Sequence, residues 1–244
     1  MLKSVAKDIF NKFGYEVRNK NGDPQVYYEI DKSFHDVYDR AQEKCQMTVT
    51  DNLLRRHRHY TLIQLLKNAP FKNGDICELG CWRGLSAYQL ASNLQSIDFR
   101  GTFHIFDSFE GLSEYEDIDI PEGNVWNLEE KRKQFACSLE NVQMNLNDFS
   151  FMSYHKGWIP DRFNDVKDKM FSFVHIDVDL YQPIYDSMQF FYPRLVDGGV
   201  MVFDDYGYIQ FPGAKKAVDQ FCNEVKDLFF VHLPCGQAYL VKNS

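Results

Sequence analysis

The sequence predicts an α/β fold: a doubly wound, Rossmann-like domain with a mostly parallel seven-stranded sheet, helices on both faces and an N-terminal helical extension. Three observations predict it. From residue 75 onward, short apolar runs alternate with amphipathic stretches, as parallel strands do when helices cover them. The first run ends in a glycine-bearing turn, Glu78-Leu79-Gly80-Cys81-Trp82-Arg83-Gly84, that leads directly into a helix. The last two runs are separated by little more than Cys235 and Gly236, which predicts a closing hairpin and one antiparallel strand.

Three helix-like stretches come first, at about 2–14, 32–46 and 51–68, with a polar turn (NKNGDPQ) after the first. The opening MLKSVAKDIFNKFGYEV spaces apolar residues every three or four positions and lacks the continuous apolar run of a signal peptide. Strands follow at ICELG, TFHIFD, FSFMSYHK, FSFVHID, GGVMVFDD, DLFFVHLP and QAYLVK. Helices lie between them at LSAYQLASNLQ, LEEKRKQFACSLENVQMN and YDSMQFFYPRL. Five or so parallel strands closed by a hairpin is an order expected of a doubly wound fold with one antiparallel strand at its edge. Residues 1–70 are therefore expected to form the extension and 71–244 the catalytic, ligand-binding domain. The acidic stretch 113–124 (SEYEDIDIPEGN) has no clear period and falls at the carboxyl edge of the sheet, as a lid or as an ordinary solvated loop.

Composition narrows the function. The 244 residues are 44% hydrophobic and 16% aromatic, enough for a large core and too apolar for a disordered chain. A net charge of −8 gives no bulk attraction to nucleic acid or anionic membranes, so neither is expected as a partner and a small molecule is. No run of about 18 apolar residues predicts a membrane span. The six cysteines form no CxxC pair, and Cys77 and Cys81 read as buried thiols, so a reduced, cytoplasmic protein is expected.

At the glycine turn, Gly80 and Gly84 allow a tight bend and close approach of a ligand, and the helix amides behind them face it. The spacing is GxxxG, not GxGxxG, and Glu78 would repel a pyrophosphate. A carboxylate there suits the cationic amino-acid part of S-adenosylmethionine. Asp107 ends the next strand, where an acid hydrogen-bonds ribose hydroxyls in doubly wound folds, and Ser108 follows it.

A second constellation is acidic. Asp177 and Asp179 lie two apart at the end of the fourth strand, so alternation would place them on one face. Asp204 and Asp205 end the fifth, at the same edge of a parallel sheet. Four carboxylates in one partly desolvated cleft repel one another unless a cation joins them, and a hard divalent ion such as Mg2+ takes oxygen ligands. Such an ion lowers the pKa of a hydroxyl and fixes it for methylation, with a nearby carboxylate to take the proton.

On these residues the sequence resembles the macrocin O-methyltransferase family, the magnesium-dependent sugar methyltransferases of macrolide and aminocoumarin biosynthesis. The similarity is carried by MTVT (47–50), DICELGCWRGLSA (75–87), FDSFEGL (106–112), HKGWIPD (155–161), HIDVDLYQPIYDSM (175–188) and YPRLVDGGVMVFDDYG (192–207), from about residue 45 onward. The resemblance implies that Asp177, Asp204 and Asp205 hold magnesium and that Asp179 is the general base. It implies S-adenosylmethionine on Glu78, Gly80, Gly84 and Asp107, and a sugar or glycoside acceptor. It also implies an N-terminal region that shapes the acceptor pocket and makes subunit contacts, which leaves room for a homo-oligomer.

Other residues carry two readings each. The run Arg55-Arg56-His57-Arg58-His59 reads as a solvated helix face, or as a phosphate site for a nucleotide-linked sugar. His175 reads as a satisfied core histidine, or as a donor beneath the metal site. Trp158 reads as core or as an adenine platform, and Met47-Thr48 as a cover over the cofactor by resemblance alone. Three rival functions are open: a catechol-type phenolic methyltransferase, a nicotinamide-dependent oxidoreductase and a non-catalytic cofactor-binding protein. GxxxG with Glu78 argues against the oxidoreductase. Leu180 stands where a catechol site commonly has lysine.

Overall fold

A computed structural model describes residues 10, 26–71, 74–226 and 228–243. Apart from Phe10, the helix expected at 2–14 and the polar turn at 19–25 lie outside the described residues. The chain separates into two compact units, Met1–His35 and Asp36–Ser244. In the first, a short helix α1 (Tyr27–Ile30) is followed by Asp31. The Asp31 carboxylate accepts the Ser33 hydroxyl at 2.7 Å and the Phe34 amide at 3.1 Å. It thereby caps the start of α2 (Lys32–Lys44).

The second unit holds α3 (Leu53–Lys67), β1 (Asp75–Leu79), α4 (Leu85–Ser96), β2 (Phe103–Asp107), α5 (Leu128–Gln134), α6 (Leu139–Asn145) and β3 (Met152–Lys156). β4 (Phe171–Ile176), α7 (Tyr181–Phe191), β5 (Leu195–Phe203), α8 (Pro212–Glu224), β6 (Phe229–His232) and β7 (Ala238–Val241) complete it. The sheet has seven strands in the order β3-β2-β1-β4-β5-β7-β6. β1 to β5 pair in parallel, and β7 inserts antiparallel between β5 and β6, as the hairpin signal predicts.

Burial on both faces explains why the central strands are continuous apolar runs. Ile76, Phe103, Ile105, Phe173 and Val202 pack with Leu62, Ile63 and Leu66 of α3 and Leu90 and Leu94 of α4. Their neighbours Cys77, Phe106, Val174, Ile176 and Met201 face the other way, onto Ile184, Met188 and Phe191 of α7 and Ala217 and Phe221 of α8. Each fully buried Leu, Ile or Phe contributes about 1.5–3 kcal/mol, so helix placement is decided by these two cores rather than by propensity.

Two expectations change. The helix read through 128–145 is two helices, because the Ser138 hydroxyl accepts the Asn141 amide at 3.3 Å and starts α6 afresh. The stretch 113–124 contains a 3₁₀ turn, Asp117–Asp119, whose Asp119 is buried. The Asp119 carboxylate accepts the Tyr181 amide at 2.7 Å and so satisfies the first turn of α7. Among the described residues, no helix is long and apolar enough to cross a membrane.

Candidate active site

Strand order reverses between β1 and β4, and the crevice beyond their carboxyl ends is where open α/β sheets bind ligands. Register makes this edge orderly. The Gly80 amide donates to Phe106 O at 2.8 Å, Asp177 to Leu79 O at 2.8 Å, and Asp204 to Ile176 O at 3.0 Å. Asp107, Gly80, Asp177 and Asp204 therefore form one row, strand by strand, along the edge. The cleft above it has a volume of about 350 Å3, within the usual range for small-molecule sites.

The glycine turn is fixed by close approach. Gly80 has φ +79°, and a Cβ there would lie 1.9 Å from the Asp177 carbonyl oxygen. Gly84 has φ +91° and stands as the N-cap of α4, outside the lining of the cleft. Asp107 lines the cleft and accepts the amides of Cys81 at 2.7 Å and Trp82 at 3.2 Å on one oxygen, and Phe109 at 2.7 Å on the other. Burial pushes its carboxyl up while these amides oppose the shift. Ser108 also lines the cleft, its hydroxyl donating to Gly111 O at 2.8 Å.

Glu78 is fully buried beneath the wall rather than on it. It is the register partner of His175, whose Nδ1 lies 2.8 Å from Glu78 Oε1, while Nε2 lies 3.4 Å from Asp204 Oδ1. His175 is thus a buried histidine with partners on both ring nitrogens, set between Glu78 and Asp204. Burial raises the Glu78 carboxyl, opposed by His175, and its Oε2 is buried with no partner.

All four expected aspartates reach the cleft. Asp177 and Asp179 meet there for a different reason from strand alternation, since β4 ends at Ile176. Asp179 has φ +60°, and the Leu180 amide donates to Val178 O at 2.6 Å, which makes a γ-turn centred on Asp179. Burial, then the Asp177 charge, pushes the Asp179 carboxyl up to about 7. Burial followed by Asp179 and Asp177 raises Asp205 well above the usual carboxylate range. Asp205 Oδ2 is buried with no hydrogen-bond partner. His175, Asp177 and Asp204 bring one ligand atom each within 4.8 Å of one another. An orphaned carboxylate oxygen and a cluster of carboxylates of which Asp179 and Asp205 are raised fit a divalent cation with oxygen ligands.

Within the basic run, Arg55 and Arg56 make exposed contacts, whereas Arg58 and His59 turn inward. Arg58 turns inward from α3, forms an ion pair with Asp204 and lies 4.0 Å from Asp205. Its side chain is only 23% exposed. His59 Nδ1 meets Gln89 Nε2 at 3.0 Å, and burial, then Arg58, drives its pKa well down. Three residues on the cleft had no assigned role in the sequence: Gln237, whose Nε2 donates to Asp204 Oδ1 at 2.6 Å, Lys131 and Trp82. Trp158 is 37% exposed on the cleft rather than in the core, and Met47 lines it as well. Trp82 and Phe109 join Asp179 in the left-handed region, so three non-glycine residues of this edge hold unusual backbone.

A family model described as macrocin-O-methyltransferase (TylF) matches residues 17–228, so the similarity begins well before the motifs themselves do. Demethyldecarbamoylnovobiocin O-methyltransferase of Streptomyces niveus is 27% identical over 153 residues, 61% of this chain and 58% of its own. The 8-demethyl-8-(2,3-dimethoxy-alpha-L-rhamnosyl)-tetracenomycin-C 4′-O-methyltransferase of Streptomyces olivaceus is 28% identical over 138 residues, 54% of this chain and 53% of its own. The chain thus spans little more than half the length of these relatives. The structure of the O-methyltransferase NovP superposes with a TM-score of 0.61 at 23% identity, over 77% of this chain and 80% of that one, and shows the same fold.

Proposed function

Because the chain belongs to the macrocin-O-methyltransferase family, we propose that it methylates a hydroxyl of a sugar or sugar-containing small molecule, using S-adenosylmethionine and a divalent cation, magnesium. The observation that carries the reading is the row at the sheet edge, which puts a glycine turn and four aspartates around one cleft. The rhamnosyl acceptor named for the Streptomyces olivaceus relative supports the sugar.

S-Adenosylmethionine brings an activated methyl group, so the protein has to orient the acceptor and remove a proton. The open backbone at Gly80, with Asp107 and Ser108, suits the adenosyl and amino-acid parts, and the Trp158 ring offers them an apolar face. Asp177, Asp204 and Asp205 would hold the cation, which would polarise the acceptor hydroxyl. His175 and Gln237 hold Asp204 in place from below and beside, the arrangement outer-sphere groups take around ligands. Asp179, whose carboxyl is raised by burial and then by the Asp177 charge in the ion-free chain, would take the proton of the acceptor hydroxyl. Its γ-turn aims it by backbone rather than by a free rotamer.

A transfer assay with labelled S-adenosylmethionine and Mg2+ against glycosides, nucleotide sugars and catechols tests this. Label should enter a sugar hydroxyl, vanish with EDTA and return with Mg2+. Transfer only to catechols, or transfer indifferent to exhaustive chelation, contradicts the reading.

A further inference from the structure

We propose that Arg58 is a resident counter-cation of the acid cluster, a positioning residue that a divalent ion has to displace from Asp204 in order to bind. The inference rests on the metal reading above and says how the chain manages that site without the ion.

Helix α3 presents its basic run in several directions. Arg56 pairs outward with Asp51 at 2.6 Å and Asp39 at 2.8 Å, and Arg55 donates to Thr50 O at 3.2 Å. Arg58, one turn on from Arg55, is turned to the sheet edge. Its guanidinium lies 4.8 Å from the Tyr208 ring centroid, and the Tyr208 hydroxyl is itself tied to Cys235 O at 3.1 Å. Stacking on that ring and pairing with Asp204 hold it from two sides, the geometry that guanidinium favours over ammonium.

The occupancy of Asp204 decides the consequence. Its Oδ1 takes Gln237 at 2.6 Å and faces His175 at 3.4 Å, and its Oδ2 faces Arg58. A cation on Oδ2 would sit against the guanidinium already held there, and repulsion between the two like charges favours exchange over sharing. The guanidinium reaches Asp204 but leaves Asp205 Oδ2 buried and unpartnered, so a divalent ion that engages several of these carboxylates at once can win the exchange. Arg58 therefore keeps the ion-free cleft assembled and weakens apparent cation affinity by competing for one ligand.

The test compares wild type with Arg58→Gln, Arg58→Lys and Arg55→Gln. Mn2+ binding is read by electron paramagnetic resonance, Mg2+ binding by calorimetry, and melting in EDTA by differential scanning. Arg58→Gln should bind Mn2+ roughly tenfold more tightly, since a charge-assisted partner of Asp204 is gone, and should melt lower than wild type in EDTA. Arg58→Lys, which keeps the charge but loses the planar fork, should lie between and guards against a Gln variant that fails to fold. Arg55→Gln, which removes an equal charge from the same wall, should change Mn2+ affinity by less than about twofold. Equal or weaker Mn2+ binding in Arg58→Gln and Arg58→Lys overturns the inference while the metal reading stands. Equal tightening in Arg55→Gln overturns it too, since charge alone would explain the effect. If wild type and all three variants bind neither ion, the metal reading falls and the inference with it.

Discussion

Replacing Asp179 by asparagine should stabilise the cation-free protein at alkaline pH while abolishing turnover. The Asp179 carboxyl stands near 7 in the folded chain, against an ordinary value of 3.8. As pH rises between those values the unfolded chain releases this proton and the folded chain retains it, so stability falls across about pH 4–7 and is flat above. A difference of this size is worth at most a few kcal/mol, roughly 1.4 for each tenfold change in proton affinity. Neighbouring carboxylates share the same site, so the deletion recovers part of this, on the order of 1–3 kcal/mol. Asparagine tolerates the left-handed backbone and stays neutral, leaving the γ-turn intact. In EDTA at pH 8, Asp179→Asn should therefore melt above wild type, by roughly 2–4 °C per kcal/mol in a chain of this size, and the gap should close near pH 4. Methyl transfer should fall by about 10²–10⁴, the usual contribution of a general base. A variant that melts with or below wild type at pH 8, or a gap independent of pH, would refute the reasoning.

Three further outcomes follow from the same geometry. Asp177→Asn should weaken Mn2+ binding more than about 100-fold, beyond the usual 10–100-fold effect of groups outside the coordination sphere, with S-adenosylhomocysteine affinity nearly unchanged in calorimetry; comparable loss of both ligands would count against separate roles. Gly80→Ala puts a Cβ against the Asp177 carbonyl at φ +79°, so it should cost at least about 2 kcal/mol in urea denaturation and weaken both ligands together. Asp119→Ala strands the Tyr181 amide and should cost about 1–2 kcal/mol; it should also speed limited proteolysis within 113–124, and unchanged cleavage would show that this carboxylate does not anchor the segment.

Sequence alone revealed most of the sheet, because parallel strands buried on both faces must be continuous apolar runs, and their carboxyl ends are where the chain turns polar. Asp107, Asp177 and Asp204 were legible as strand-end acids for that reason, and parallel register converts similar positions in sequence into neighbours in space. Asp179 was found by an argument from alternation, yet a γ-turn places it. Arg58 was hidden because charge and helical spacing are alike for Arg55, Arg56 and Arg58, and only the packing of α3 chooses which one turns inward. Asp119 was hidden because its partner, Tyr181, lies 62 residues away, and no local period signals a cap supplied from so far. The break at Ser138 was present as a capping residue inside an otherwise helical pattern.

The ladder of amides from Asp177 to Leu79 and from Asp204 to Ile176 ties the donor and acceptor stations to main chain. Neighbouring strands stand about 4.8 Å apart whatever their side chains, so the reach between the two stations is a property of the sheet itself. The walls contributed by α3 and by residues 111–113 are side chains and loop, and they can vary without moving that frame. The distance between the glycine turn and the acids is therefore set by backbone pairing, not by the side chains of the cleft.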